Sequence, residues 1–138
     1  MTENDMPPAA EVKGGAIPYL SIDGAMKAVE FYQSAFGAEL ATVMPPDEKG
    51  RTMHAHLHIN GSSVMLGDFY PEHGYPPVPA QGFNVLLPVK DIETWWNRAV
   101  AAGATVVVPL ADMFWGDRYG QLRDPFGVTW ALNEPIKK

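Results

Sequence analysis

No cysteine occurs in the 138 residues, which removes disulfides, thiolate metal sites and cysteine nucleophiles. Positive charge is scarce: ten Lys and Arg stand against sixteen Asp and Glu, a net charge of −6. That balance disfavours nucleic acid or an anionic membrane as the partner. No apolar run approaches the roughly 20 residues of a membrane span. The polar stretch Met1–Asp5 lacks a signal peptide's charged and apolar regions, so the expected location is the cytoplasm. Also missing are a Walker loop, a dinucleotide-binding glycine pattern, a nucleophile-elbow serine and an HExxH pair. Any chemistry must therefore reside in a constellation of residues. What is present is globular in character, with 46% hydrophobic and 19% charged residues in 15.1 kDa. That suits one domain, or two very small fused ones, with a core that needs no staples.

Residues 1–13 are polar and without periodicity, and are expected to form a flexible tail. A second break spans residues 71–82, where four prolines and two glycines fall in twelve positions and exclude a helix or a central strand. This linker separates residues 14–70 from residues 83–135, and the two parts resemble each other. Each begins with a strand, 16–22 or 83–89. Each continues with a helix, opened by Asp23 or Asp91 as N-cap and closed by Gly37 or Gly103. Ile92, Trp95, Trp96, Ala99 and Val100 fall on one helical face; Ala25, Ala28, Val29, Tyr32 and Phe36 form the matching stripe. Gly-Ala and a strand-like run follow each helix, and each part finishes with a hairpin. The first hairpin turns through Asn60-Gly61, a strong two-residue signal. The second turns through Asp124-Pro125-Phe126-Gly127. The expected architecture is α+β, an internal duplication of a βαβββ unit.

Alternation along the strands sorts their residues into two faces. Leu20, Ile22, Ala55, Leu57, Ile59, Val64, Leu66, Val85, Leu87, Trp130 and Leu132 make an apolar face that carries the helices. Tyr19, Ser21, His54, His56, His58, Ser63, Met65, Asn84, Leu86, Ala131 and Asn133 make a face of mixed polar, aromatic and small groups, the composition of a ligand cleft. A two-residue turn at Asn60-Gly61 sets His56 opposite Met65 and His58 opposite Ser63.

Ile17-Pro18-Tyr19-Leu20-Ser21-Ile22-Asp23-Gly24, Glu30-Phe31-Tyr32 and Phe36-Gly37-Ala38 resemble the first module of the vicinal oxygen chelate superfamily. That group holds glyoxalase I, bleomycin-resistance proteins, fosfomycin-resistance enzymes and extradiol dioxygenases. His54-Ala55-His56-Leu57, Met65-Leu66-Gly67-Asp68, the run from Trp115 to Gly120, and Asp124-Pro125-Phe126-Gly127 with Trp130 more specifically resemble its PhnB-like branch. The resemblance spans about residues 15–135. It implies two βαβββ modules in an open, curled mixed sheet around a cleft, commonly in a homodimer, an assembly that unpaired sheet edges also favour. Metal-dependent members take one His, Gln or Glu ligand from each of four strands. By resemblance those positions fall at or next to Ile17, Met65, Asn84 and Ala131. Only Asn84 carries a coordinating side chain, and a poor one for first-row ions, so the usual metal site is expected to be missing.

His54 and His56 could hold a divalent metal such as Zn, Ni or Mn weakly, or line a pocket without metal. Three same-face histidines stand about 6.5–7 Å apart along a strand and rarely share one ion. Arg118 either holds a ligand carboxylate or phosphate with Trp115 stacked on it, or pairs with Asp117 or Asp124 in a loop anchored by Trp115. The expected ligand-binding residues are Tyr19, His54, His56, Met65, Asn84, Trp115 and Arg118. The leading expectation is a protein similar to the bleomycin-resistance type, binding a small molecule in the cleft between modules without a cofactor. The alternative is a divalent-metal lyase, isomerase or dioxygenase using a displaced histidine site; a structural module without ligand is the third. No Gly-rich cofactor loop supports a methyltransferase.

Overall fold

The computed structural model describes Pro7 and residues 9–137; the polar start Met1–Asp5 of the expected tail lies outside them. At the tail's other end, Lys13 accepts the Ser63 N–H and donates its own N–H to Ser63 Oγ, both at 2.8 Å. The chain divides into two compact units, Met1–Gln33 with Gly37–Val78 and Ser34–Phe36 with Pro79–Lys138.

The first module contains β1 (Tyr19–Ile22), α1 (Ala25–Phe36), β2 (Glu39–Val43), β3 (Ala55–Ile59) and β4 (Ser62–Asp68). Its sheet runs in the order β1-β4-β3-β2, with β1 parallel to β4 and the other neighbours antiparallel. Asn60 and Gly61 both take positive φ, 51° and 78°, the pair that a tight hairpin turn requires. The turn sets the expected register, His56 opposite Met65 and His58 opposite Ser63. Leu20, Ile22, Ala55, Leu57, Ile59, Val64 and Leu66 are all buried, as alternation predicts.

The second unit contains β5 (Val85–Pro88), α2 (Ile92–Ala102), β6 (Thr105–Asp112), β7 (Asp117–Arg123) and β8 (Thr129–Pro135). Its order, β5-β8-β7-β6, with β5 parallel to β8, repeats the first. The α+β class and the pair of βαβββ modules, each with an open mixed sheet, thus hold. In α2, Ile92, Trp96 and Ala99 are buried, Trp95 is half-buried and Val100 is exposed, so the apolar stripe is narrower than its spacing suggests. Trp96 lies across Gly120 of β7: a Cβ there would stand 2.5 Å from Trp96 Cζ3. The turn at 124–127 is closed by buried Asp124, whose carboxylate accepts Phe126 N–H, Val128 N–H and the Trp130 indole N–H, each at 2.9 Å. After β4, still within the first unit, Pro71–His73 form one 3₁₀ turn. The backbones of Tyr70 and Tyr75 close it with two hydrogen bonds of 2.8 and 2.9 Å.

The helix starts correct the expected caps. Neither Asp23 nor Asp91 caps its helix through its side chain. Gly24 (φ 98°) and Asp91 (φ 59°) are left-handed, and the orphan N–H groups find carboxylates from the last strand of the same module. Asp68 Oδ1 accepts Gly24 and Ala25 N–H at 2.9 and 3.1 Å. Glu134 accepts Asp91 and Ile92 N–H at 2.8 and 3.2 Å. Parallel pairing explains this. β1 and β4 end together, with Ile22 beside Asp68, so the start of α1 lies next to the end of β4. A carboxylate there meets both the free donors and the positive end of the helix.

Loss of the Asp68 cap in Asp68→Ala should lower unfolding free energy by about 2 kcal/mol, whereas Asp23→Ala should change it by less than about 0.5 kcal/mol. Urea unfolding of the two variants checks the assignment. Equal losses would return the cap to Asp23.

Candidate functional site

The second face of the first sheet carries the site. Tyr19, Met65 and His56 stand in one row across β1, β4 and β3. One step along β4, Gly67 leaves room for a crossing backbone: a Cβ there would overlap the Met53 carbonyl. Asp68 fixes that crossing, because its Oδ2 accepts Thr52 N–H at 2.8 Å and its own N–H donates to Thr52 O at 2.8 Å. Thr52, itself buried, donates its hydroxyl to Met44 O at 2.8 Å. Met53 O, held over Gly67, accepts the Tyr19 hydroxyl at 2.8 Å, and Tyr19 Oη lies 3.0 Å from His54 Nδ1. This crossing shortens the expected strand, so that β3 begins at Ala55 and His54 stands just before it.

The three histidines do not converge. Ring centroids are 6.4 Å apart for His54 and His56 and 5.0 Å apart for His56 and His58. Each ring has one nitrogen engaged: His54 Nδ1 by Tyr19, His56 Nε2 by Ser63 Oγ at 2.7 Å, and His58 Nε2 by Glu11 O at 2.9 Å. Burial, then the charges of His58 and His54, push the His56 pKa below its ordinary value. Burial pushes the Tyr19 phenol up, so it stays protonated at neutral pH. No group of three or more His, Asp or Glu that could hold a metal occurs among the described residues. At the positions where the resemblance puts the ligands of metal-dependent members stand Ile17, Met65, Asn84 and Ala131, and Ala131 is buried. This donor set does not fit a divalent ion.

A cavity of about 350 Å³ opens beside this row, lined by Tyr19, Ser21, Met53, Asp68, Tyr70 and Tyr75 among others. A second, of about 330 Å³, shares Met53 and Tyr70 and adds Met44, Pro45 and Arg51. Arg51 sits 4.2 Å over the Tyr70 ring and makes two hydrogen bonds of 3.0 and 2.8 Å to Glu72 and a third of 3.1 Å to Asp47. The Arg51 side chain lowers the Glu72 pKa to about 2. Met53, Tyr70 and Tyr75 escape periodicity analysis because they lie in irregular segments. Their one signal is a pair of tyrosines at the start of the Pro- and Gly-rich stretch.

Of the expected ligand-binding residues, Tyr19, His54, His56 and Met65 come together on this face. Asn84, Trp115 and Arg118 belong to the second unit. Asn84 is exposed in the coil before β5. Trp115 is half exposed on the β6–β7 turn, with its ring 5.1 Å from Phe114 and 5.7 Å from Tyr119, so it does not anchor the turn in a core. Arg118 lies on β7 and pairs with Glu93 at 2.7 Å and, more loosely, Asp112 at 3.9 Å. The expected structural partners Asp117 and Asp124 are replaced because β7 pairs Arg118 with Asp112 of β6.

Comparison with known proteins agrees with this architecture. The family model of the glyoxalase/bleomycin resistance protein/dioxygenase superfamily matches residues 20–132. An uncharacterized protein of Mycobacterium bovis is 42% identical over 137 residues, covering 94% of this chain and 89% of its own. Protein PA1353 of Pseudomonas aeruginosa is similar in structure, with a TM-score of 0.74, 29% identity, and coverage of 90% of this chain and 99% of that one. A PhnB protein of Bacillus cereus, described as a putative 3-demethylubiquinone-9 3-methyltransferase, superposes with a TM-score of 0.64 and 26% identity over 88% of this chain and 99% of its own.

The depressed His56 pKa makes stability pH-dependent. Above about pH 6.5 the imidazole is neutral in both states and its contribution is intact; below it, the unfolded chain takes the proton first and stability falls. One such proton contributes at most about 1.4 kcal/mol per pH unit. Thermal melts from pH 7.5 to 5 should show a steeper decline for the wild type than for His56→Gln. Parallel curves would contradict the assignment.

Proposed function

The chain belongs to the glyoxalase/bleomycin resistance protein/dioxygenase superfamily, and from that premise we propose that it binds a small molecule on the open face of its first module. The observation that carries this reading is the cavity of about 350 Å³ with Tyr19, Tyr70, Tyr75 and Met53 in its wall. Aromatic and thioether surface supplies affinity, and a few placed polar groups supply orientation. Of the expected set, Tyr19 lines this cavity, and His54, His56 and Met65 stand beside it on the same face of the sheet. Arg118, ion-paired to Glu93, is assigned no ligand contact.

The protein acts in this reading without the superfamily's metal. Ile17, Met65 and Ala131 offer no imidazole or carboxylate, and the histidine rings are drawn into separate hydrogen bonds. Assembly as a cytoplasmic homodimer is part of the same proposal. The unpaired outer strands β1 and β2 of one sheet and β5 and β6 of the other support the dimer, because free edges are usually covered. Among the described residues no helix is long and apolar enough to cross a membrane.

Native mass spectrometry of protein purified without chelator reads metal, retained ligand and subunit number together. We expect a mass near twice 15.1 kDa and no stoichiometric metal. Added Zn²⁺ should bind only weakly, with that binding lost in the His54→Ala/His56→Ala double variant. Chelator-resistant metal at one per subunit, abolished in the double variant, would instead make this a metalloenzyme with a displaced histidine site. Saturation-transfer NMR against planar aromatic fragments tests the cavity. Tyr70→Ala should weaken any hit by about tenfold or more, the effect of losing one stacked ring.

A further inference from the structure

The wall of the 350 Å³ cavity combines three tyrosines, Tyr19, Tyr70 and Tyr75, with Met53 and one charged group, Asp68. No Lys, Arg or His is among the described residues of that wall. Asp68 is fixed in place, because it accepts N–H groups from Gly24, Ala25 and Thr52 at 2.9, 3.1 and 2.8 Å. Beside Tyr70 stands Arg51, 4.2 Å from its ring centre, so that ring already holds one cation. Glu72 and Asp47 both pair with this guanidinium. Hydrogen bonds from Arg51 hold both carboxyls below their usual range, Glu72 at about 2, and two carboxylates to one guanidinium leave an excess negative charge. Its field reaches the cavity wall. Burial and then Asp47 push the Tyr70 phenol up, Arg51 opposes them, and Asp68 and Glu72 add to the rise.

We propose that this cavity takes an organic cation, a small quaternary ammonium compound, seated among the three tyrosines beside Asp68. Aromatic rings attract a cation electrostatically, and the attraction grows as water is excluded. Asp68 adds charge but little hydrogen-bonding capacity, since three N–H donors already occupy it. The Met53 carbonyl is likewise taken, by the Tyr19 hydroxyl at 2.8 Å. A primary ammonium would bring three N–H donors to a wall whose two strongest acceptors are engaged. A fully alkylated nitrogen brings the charge without the donors. A carboxylate or phosphate would meet Asp68 with no cation in the wall to answer it. This inference rests on the small-molecule reading above and adds to it the charge and chemical class of the ligand.

The intact chain is titrated with choline and with 3,3-dimethylbutan-1-ol, in which carbon replaces the quaternary nitrogen. Binding is followed by the NMR shifts of Tyr19, Gly67, Tyr70 and Tyr75. Choline should bind about tenfold more tightly than the uncharged isostere, and more tightly than ethanolamine. Tyr75 is 65% exposed and closes its turn through backbone hydrogen bonds, so Tyr75→Leu leaves the fold in place while removing a ring. It should weaken choline about fivefold and leave the isostere unchanged, and Tyr75→Phe should restore choline binding. Asp68→Asn should weaken choline alone, and the choline–isostere contrast on the wild type stands even if that variant fails to fold. Failure of choline to bind, or equal binding of the isostere, overturns the proposal; aromatic fragments that still bind would leave the small-molecule reading standing. Ethanolamine binding as tightly as choline overturns the quaternary assignment. A trimethyllysine peptide that binds tenfold more tightly than choline overturns the small ligand in favour of a protein partner. If none of these probes and no aromatic fragment perturbs the wall residues, the small-molecule reading falls and this inference with it.

Discussion

The structure of the first module depends on one carboxylate. Asp68 stands at the end of β4, and parallel pairing with β1 brings it to the start of α1. One oxygen takes the free N–H groups of Gly24 and Ala25, and the other takes Thr52 N–H. A helix start needs such an acceptor wherever it lies, and here the same group also ties down the segment that builds the site. Gly67, immediately before it, is the only residue type that lets the Met53 carbonyl rest on the sheet. From Met53 O the order passes to Tyr19 and from Tyr19 to His54.

The second module repeats the logic without the site. Glu134 caps α2 as Asp68 caps α1, each from the last strand of its module. The second module's cavities are built differently, with Arg118 in their walls. Where the first module has Gly67 under a crossing backbone, the second has Gly120 under the Trp96 ring, a glycine serving helix packing. The two modules share the parallel first and last strands and the strand-borne cap, while they use their glycines differently.

Much of this was legible in the sequence, for local reasons. The Asn60-Gly61 turn and the period of two place His56 opposite Met65 and put Tyr19, His56 and Met65 on one face. Gly37 and Gly103 mark the helix ends correctly. The caps were not legible, because Asp68 and Glu134 act across 43–44 and 42–43 residues of chain respectively, and nearby Asp23 and Asp91 offer a plausible local answer. Arg118 finds Glu93 on α2, a partner that only tertiary packing supplies. The exposure of Val100 shows the same limit: helical spacing gives the direction of a side chain, but the width of the covered stripe depends on what lies above it. Tyr70, Tyr75 and Met53 owe their place in the cavity wall to loops whose path is set by Asp68, Gly67 and the Arg51–Glu72 pairing.

Helix cap and candidate site form one cooperative unit held by Asp68. Residue-resolved amide hydrogen exchange on the wild type and Asp68→Ala tests it most directly. Gly24, Ala25 and Thr52 should lose protection together, and the His54 ring resonances should move with them. Loss of protection at Gly24 and Ala25 alone, with Thr52 and His54 unchanged, would contradict it and leave the cap and the site as separate constructions.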